Sequence, residues 1–276
     1  MNFNFPLILL AATAISGVIY LCDVLLWAKK RHASTYGKLP LLVDYARSFF
    51  PVLLAVLIIR SFIIQPFRVP TGSLEPTVMP GDFILVNQFA YGLRFPVWGW
   101  HFLPIGEPKH GDIVVFHWPV DPSKDFVKRV IGLPGDRISY INKVLYINDQ
   151  EMPQKFVRTA TDTNGGNSGS WPVNVVDESF GSETHQIYVC PLSTSVGGTS
   201  VGGTSSCPNS TMQNFYDVVV PKDHYFMMGD NRDDSDDSRF WGFVPEKNLV
   251  GKAFMVFFSW NSATNSPRWN RIGTSI

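Results

Sequence analysis

The 276-residue sequence contains 23 Lys and Arg against 23 Asp and Glu; 45% of its residues are hydrophobic and only 17% are charged. A neutral chain with so few charges has no global electrostatic attraction for nucleic acid, so we expect no nucleic-acid partner. Its apolar and aromatic content excludes extensive disorder. The zero net charge combines two unlike regions, because residues 1–64 have six basic and two acidic side chains and the remainder has a formal charge of −4.

Two apolar runs near the N-terminus predict transmembrane helices, at about 5–27 and 48–66. The first contains a single charge, Asp23, and is long enough to cross a hydrocarbon core of roughly 30 Å. A cleaved signal peptide fits poorly, because residues 1–4 carry no positive charge and the run exceeds the usual h-region. The second run contains Pro51 and Arg60, so a buried core helix is the alternative there.

The segment between the two runs, residues 28–47, holds five Lys or Arg and one Asp. Because positive loops stay in the cytoplasm, both chain ends are expected on the outer side of the membrane. We therefore expect a multi-pass protein of the cell inner (cytoplasmic) membrane, in contact with the lipid bilayer. Residues 1–65 would be its anchor and residues 66–276 its periplasmic domain. In that oxidising compartment Cys190 and Cys207 could form a disulfide bond.

The exported part has the pattern of a mainly β fold made of antiparallel sheets. Short β-branched and aromatic runs punctuated by Gly, Pro, Asn and Asp predict strands at 83–90, 112–118, 126–131, 138–147, 186–190, 217–220, 225–228 and 252–260. The dipeptide Asn142-Lys143 indicates a hairpin turn. Residues from about 140 to 220 are polar and poorly periodic, which predicts a less regular insertion or cap on the β core.

A first candidate for chemistry is the segment 70–82, directly after the second apolar run. Its prolines and Gly72 would hold Ser73 in one geometry. An ordinary turn leaving the membrane is the alternative. A serine hydroxyl is a poor nucleophile unless a base accepts its proton, and the six histidines are scattered through the sequence. Lysine is the other side chain that could serve as the base.

Lys128 lies in the second candidate segment, residues 125–136. In a strand over 126–131 it shares one face with Phe126 and Val130. If that face meets the core, desolvation lowers the pKa of the lysine and favours the neutral form that accepts a proton. The alternative is an edge strand in which Lys128 and Arg129 point to opposite faces.

The third candidate segment, residues 225–243, contains five aspartates within eight positions. An EF-hand is excluded, because neither the glycine at the sixth place nor the glutamate at the twelfth is present. Arg232 and Arg239 interleave the acids, which favours an ion-pair network over a metal site. We therefore expect neither a metal nor another cofactor.

Together these segments resemble the bacterial signal peptidase I family, membrane-bound serine proteases that remove signal peptides from exported proteins. The resemblance covers the two spans around a basic loop and four sequence boxes: Thr-Gly-Ser-Leu-x-Pro-Thr at 71–77, Gly-Asp-Phe-Ile-Leu-Val at 81–86, Lys-Arg-x-x-Gly-Leu-Pro-Gly-Asp at 128–136 and Gly-Asp-Asn-Arg-x-x-Ser-x-Asp-Ser-Arg at 229–239. Leu74 stands where many members have Met, a volume-conserving difference.

The resemblance implies a role for each matching residue. Ser73 would be the nucleophile, Lys128 the general base and Ser235 the residue that orients the lysine. The oxyanion would be stabilised by the Ser73 N–H and the Thr71 hydroxyl. Structural support is implied for Asp230, Asp237 and Arg239, and shallow substrate pockets for Phe67, Val69, Pro70, Leu74, Ile84 and Val127.

The expected substrates are preproteins that bear a signal peptide, cut after an Ala-x-Ala-like site through an acyl-enzyme. One alternative is a membrane-anchored β domain that binds a partner without catalysis; another is a self-cleaving Ser-Lys protease. The distance from Ser73 Oγ to Lys128 Nζ separates the proteases from the binding module.

Overall fold

The computed structural model describes residues 5–27, 40–58, 64–94, 101–103, 105–163, 170–191, 195–196, 199–200 and 214–276. These residues form two compact units. The first lies within Met1–Gln65 and Gly92–Ile105, and the second within Pro66–Tyr91 and Gly106–Ile276.

The first unit contains two apolar helices, α1 (Phe5–Cys22), which continues as a π-helical turn over Asp23–Trp27, and α2 (Leu41–Ile58). Mean hydropathy is 2.1 over Leu7–Leu26 and 1.9 over Leu41–Ile58, so both are long and apolar enough to cross a membrane. They pack where Gly17 leaves room for the Phe50 ring, since a Cβ at Gly17 would lie 2.7 Å from that ring. Small residues at such contacts are typical of membrane helix pairs.

The second helix lies earlier in the chain than the predicted span over 48–66. It begins at Leu41 because the N–H groups of Val43 and Asp44 donate to the Pro40 carbonyl, at 2.9 and 3.0 Å. Residues 64–66 belong to a strand instead, as expected for a residue that precedes proline. The described helix therefore starts earlier than the predicted span over 48–66, and residues 64–66 of that span lie in a strand.

The strands of the described residues, numbered in chain order, are β1 (Ile64–Arg68), β2 (Asp82–Asn87), β3 (Leu93–Arg94), β4 (His101–Leu103), β5 (Ile113–His117), β6 (Asp125–Gly132), β7 (Arg137–Ile141), β8 (Val144–Ile147), β9 (Gln150–Glu151), β10 (Gln154–Asp162), β11 (Trp171–Phe180), β12 (Glu183–Val189), β13 (Ser195–Val196), β14 (Thr199–Ser200), β15 (Phe215–Val219), β16 (His224–Met228), β17 (Val244–Pro245), β18 (Leu249–Asn261) and β19 (Ser266–Pro267). One short helix, α3 (Ser238–Trp241), and 3-10 turns at Gln88–Tyr91, Glu246–Asn248 and Trp269–Arg271 complete the regular structure.

The largest sheet has the strand order β1-β2-β18-β5-β6-β16-β17, with β19 paired to β18. Neighbouring strands are mainly antiparallel, which confirms the predicted fold class of antiparallel β sheets preceded by two apolar helices. One face of the sheet covers a core built from Val69, Leu74, Val78, Ile84, Ile113 and Val115. These side chains lie directly around the segment that carries Ser73.

Much of the region predicted to be less regular, residues 140–220, forms strands. The hairpin of β7 and β8 turns at Asn142 and Lys143, whose φ angles of 50° and 69° suit a tight two-residue turn. Strands β15-β7-β8-β9 form one sheet and β10-β11-β12 another. In β11 the buried Trp171, Val173 and Val175 alternate with polar or exposed neighbours, which lowers the mean hydropathy and conceals the strand.

Candidate active site

Ser73 lies in the connection between β1 and β2. Two backbone hydrogen bonds close this connection, from Val69 N to Asp82 O at 2.8 Å and from Gly81 N to Val69 O at 2.9 Å. Leu74 and Val78 are buried beneath it in the core. Backbone hydrogen bonds and buried side chains therefore fix the position of the segment that carries the serine.

Lys128 is carried by β6, where it pairs in register with Val114 of β5. Its side chain is buried, with 4% exposure, and its Nζ lies 2.5 Å from Ser73 Oγ in a hydrogen bond. The Nζ is also 5.8 Å from the centre of the Phe126 ring. The strand thus brings an amine and a hydroxyl from distant parts of the chain into direct contact.

Burial lowers the pKa of Lys128 from 10.5 to about 8, although Asp237 and Asp236 act in the opposite direction. Removing water from around an ammonium group disfavours its charged form. At pH 7 about a tenth of such lysines are neutral, compared with fewer than about one in a thousand for an exposed lysine. The site can therefore supply a neutral amine that accepts a proton.

Ser235 is buried beside the same segment, and its Oγ has no hydrogen-bond partner among the described residues. The position of Gly229 shows how tight the packing is. A Cβ at Gly229 would lie 2.3 Å from Ser235 Oγ and 2.3 Å from the Ser73 carbonyl oxygen. Ser235 makes no hydrogen bond to Lys128 in this arrangement, and its orienting role stays a prediction.

Asp230 is paired with Arg129, the residue after the lysine. The guanidinium group donates from Nε and Nη2 to the two carboxylate oxygens, both at 2.7 Å. Thr77 Oγ1 donates to the same carboxylate at 2.5 Å. Burial by itself would raise the pKa of Asp230, but Arg129 outweighs it and the pKa lies below its usual value. This bidentate pair ties β6 to the turn after β16.

Asp237 accepts two hydrogen bonds from the Arg239 guanidinium group, both at 2.8 Å, and one each from the N–H groups of Arg239 and Gly229, at 3.2 and 3.0 Å. Other partners in the aspartate-rich segment come from more distant elements. Lys143 pairs with Asp233 at 2.7 Å, and Arg232 makes a bidentate pair with the buried Glu178 of β11. The expected ion-pair network is present among these residues, but it is less local than the interleaved arginines indicated.

A groove of about 480 Å³ opens beside the pair. Its lining includes Ser73 and Lys128, the exposed Thr71, three acids at 125, 234 and 236, and most of the predicted pocket residues, namely Phe67, Val69, Pro70, Leu74 and Val127. Ile84 is fully buried in the core and does not line it. Of the two cysteines, Cys190 is buried and Cys207 lies outside the described residues, so their bond stays a prediction.

Sequence reasoning overlooked three residues that lie near the backbone of the Ser73 segment, namely Glu75, Asp162 and Asn231. Glu75 lies inside the recognised box, so its position was visible in the sequence but its partner was not. Asp162 comes from the region predicted to be irregular, and no local pattern relates it to residue 75.

A serine hydroxyl bonded to a buried lysine, beside an apolar groove on a β fold, is the arrangement of serine hydrolases that use lysine as the general base. A family model described as "Signal peptidase, peptidase S26" matches residues 42–260. The chain belongs to this family and is a serine endopeptidase, as the resemblance implied.

The relatives agree with the family model. The chain is 39% identical to signal peptidase I of Pseudomonas aeruginosa, over 99% of both chains. It is 37% identical to signal peptidase I of Aquifex aeolicus, over 76% of this chain and 82% of the relative. A crystal structure of a signal peptidase I from Enterococcus faecalis V583 matches at 24% identity with a TM-score of 0.30, over 54% of this chain and 97% of that one.

Proposed function

We propose that this protein cleaves signal peptides from exported preproteins with Ser73 as nucleophile and Lys128 as general base. Membership of the signal peptidase family supports signal-peptide removal. The observation that carries the residue assignment is the 2.5 Å contact between Ser73 Oγ and the buried Lys128 Nζ. A non-catalytic binding module has no need for this contact, so the distance favours the protease.

The proposed reaction has two halves. Neutral Lys128 takes the hydroxyl proton as Ser73 Oγ attacks the scissile carbonyl carbon, and the lysinium then protonates the departing amine. The peptide bond breaks and an ester to Ser73 remains. Neutral Lys128 next takes a proton from water, whose oxygen attacks the ester, and returns a proton to Ser73 Oγ as the acid leaves.

The negative charge that develops on the carbonyl oxygen during the attack must be stabilised by hydrogen-bond donors. The Ser73 N–H and the Thr71 hydroxyl are proposed for this role, since both belong to the segment that lines the groove. One such donor typically contributes about 3 kcal/mol to the transition state. The exposure of Thr71 in the substrate-free site leaves its hydroxyl accessible to a bound peptide.

The groove also supports the proposed preference for small side chains before the cut. Its apolar lining leaves room for an extended peptide and consists of Phe67 on β1, Val69, Pro70 and Leu74 on the connection that follows, and Val127 on β6. Such a groove suits alanine at the cleaved position and two residues before it, the Ala-x-Ala pattern of signal peptides. Ile84 would support the floor from within the core.

The decisive experiment compares the full chain in detergent with its Ser73→Ala and Lys128→Ala variants on a secretory preprotein. Both variants should lose cleavage by about 10³-fold or more, because the nucleophile or its base is gone. Ser123→Ala and Lys124→Ala are matched controls, since both side chains are exposed, and should leave the rate unchanged. Near-normal turnover by Ser73→Ala or Lys128→Ala would contradict the assignment.

A further inference from the structure

The carboxyl group of Glu75 is also buried, against the segment that carries Ser73. This side chain is 5% exposed and folds back toward the residue before the nucleophile, since a Cβ at Gly72 would lie 3.1 Å from Glu75 Oε1. Glu75 has no part in the reaction proposed above. A buried carboxyl group needs partners to offset the loss of water, so its surroundings indicate what it does.

The partner of Glu75 is Asp162, the last residue of β10, whose side chain is 1% exposed. The nearness of the Asp162 carboxyl group raises the pKa of Glu75, through its charge and through hydrogen bonding. Asn231 joins them to the nucleophile: its Nδ2 donates to Asp162 Oδ2 at 2.6 Å and to the Gly72 carbonyl at 3.4 Å. Its backbone N–H donates to the Ser73 carbonyl at 3.1 Å.

A hydrogen bond between two carboxyl groups requires one of them to keep its proton, because two adjacent buried carboxylates repel each other. Burial, and next the contact with Asp162, raise the pKa of Glu75 to about 7. The other charged groups that act on Glu75 are Arg268, which favours the ionised form, and Asp234, which opposes it. Tyr188 of β12 also lies close enough to interact with it.

We propose that Glu75, in its protonated form, is a positioning residue for Ser73. Its carboxyl group donates a hydrogen bond to the Asp162 carboxylate, which in turn accepts from Asn231. This chain of contacts fixes the Gly72–Ser73 backbone between strand β10 and the turn after β16. The proposal rests on the protease function and extends it, because it gives the sheet β10-β11-β12 a part in holding the nucleophile.

The test uses Glu75→Gln and Glu75→Leu in the full chain. Glutamine is nearly isosteric with a protonated glutamate and keeps a donor for Asp162 at every pH, whereas leucine removes the donor. The kcat and KM for preprotein cleavage and the thermal unfolding midpoint are measured from about pH 5 to about pH 9. Each rate is divided by the wild-type rate at the same pH, because Lys128 is present and titrates in all three proteins.

At pH 6 the Gln variant should keep a kcat within about threefold of wild type, and the Leu variant should lose about 10- to 100-fold in kcat with little change in KM. As the pH rises through about 7, ionisation of Glu75 should weaken the wild type, so the ratio of Gln variant to wild type should increase. A ratio that does not change with pH, or a Gln variant as slow as the Leu variant, would overturn the proposal.

The unfolding midpoint separates this inference from the function on which it rests. A group whose pKa is raised on folding loses its contribution to stability as the pH rises through the folded-state value. The midpoint of wild type should therefore fall relative to that of Glu75→Gln between about pH 5 and about pH 8. This difference is measurable even if no preprotein were cleaved, and a constant difference would overturn the acid pair.

Discussion

At the scale of single residues, the property that matters most is the lowered pKa of Lys128. The amine is useful only when neutral, and its burial places the transition close to physiological pH. Desolvation lowers the pKa, whereas the negative charges of Asp237 and Asp236 limit how far it falls. The neighbouring acids therefore influence how readily this amine accepts a proton.

The rate of cleavage should fall on the acid side as Lys128 becomes protonated, with an apparent pKa of about 8 in the profile of kcat/KM. Asp236→Asn should move this limb to lower pH, because it removes a charge that stabilises the lysinium. Asp149→Asn, an exposed acid on the β8–β9 turn, is the control and should leave the limb in place. An acid limb at the value of an exposed lysine would contradict the burial argument.

The pair of Ser73 and Lys128 could be predicted because each residue lies in a box with a recognisable order of neighbours. The apolar neighbours of Lys128 along β6 also indicated a desolvated amine. The contact of Glu75 with Asp162 could not be predicted in this way. It depends on where β10 ends, and a polar, mostly exposed strand gives little local signal.

At the scale of elements, the end of β16 approaches the segment that carries Ser73 closely, and this approach sets the geometry of the site. Met228 closes β16, and Gly229 follows it directly against the Ser73 carbonyl. The two segments are also joined by the hydrogen bond from Asn231 N to Ser73 O. A side chain at the glycine position would push them apart.

Gly229→Ala should lower kcat by about 10²-fold, because its Cβ would displace Ser73 relative to Lys128. It should also lower the free energy of unfolding by about 1–3 kcal/mol through overpacking. Gly181→Ala is the control: its φ of 61° adds backbone strain, but no atom lies within 4 Å of the new Cβ, so kcat should not change. Unchanged kcat in Gly229→Ala would show that the close packing is not required.

The strands that sequence reasoning found are those rich in β-branched and aromatic residues, such as β5, β6 and β18. The hairpin at Asn142-Lys143 was also evident, because both residues tolerate positive φ better than β-branched ones. Strand β1 was missed because Ile64 continues the apolar run of the second span. Composition alone does not show where an apolar helix ends and an apolar strand begins.

At the scale of the whole molecule, the sequence divides into a basic, apolar N-terminal part and a mildly acidic β part. The described helices α1 and α2 are long and apolar enough for two spans. We propose that the basic residues between the two helices, Lys29, Lys30, Arg31 and Lys38, keep the connection in the cytoplasm, which would place the β part in the periplasm.

This orientation can be tested with protease added to spheroplasts. A tag after Ile276 should be digested from outside, whereas a tag inserted within residues 28–39 should be digested only after the membrane is opened. Replacing Lys29, Lys30, Arg31 and Lys38 by Gln should make the orientation mixed, because the positive bias is lost. Digestion of the 28–39 tag in intact spheroplasts of the unsubstituted protein would refute the proposed topology.

Strand β18 is the last long strand of the chain, yet it lies in the middle of the largest sheet, between β2 and β5. It joins strands β1 and β2, which flank Ser73 in the sequence, to strands β5 and β6, the second of which carries Lys128. During synthesis Ser73 and Lys128 therefore emerge long before this strand. If Ser73 and Lys128 act as proposed, we expect a nascent chain to stay inactive until residues 249–261 pair with β2 and β5.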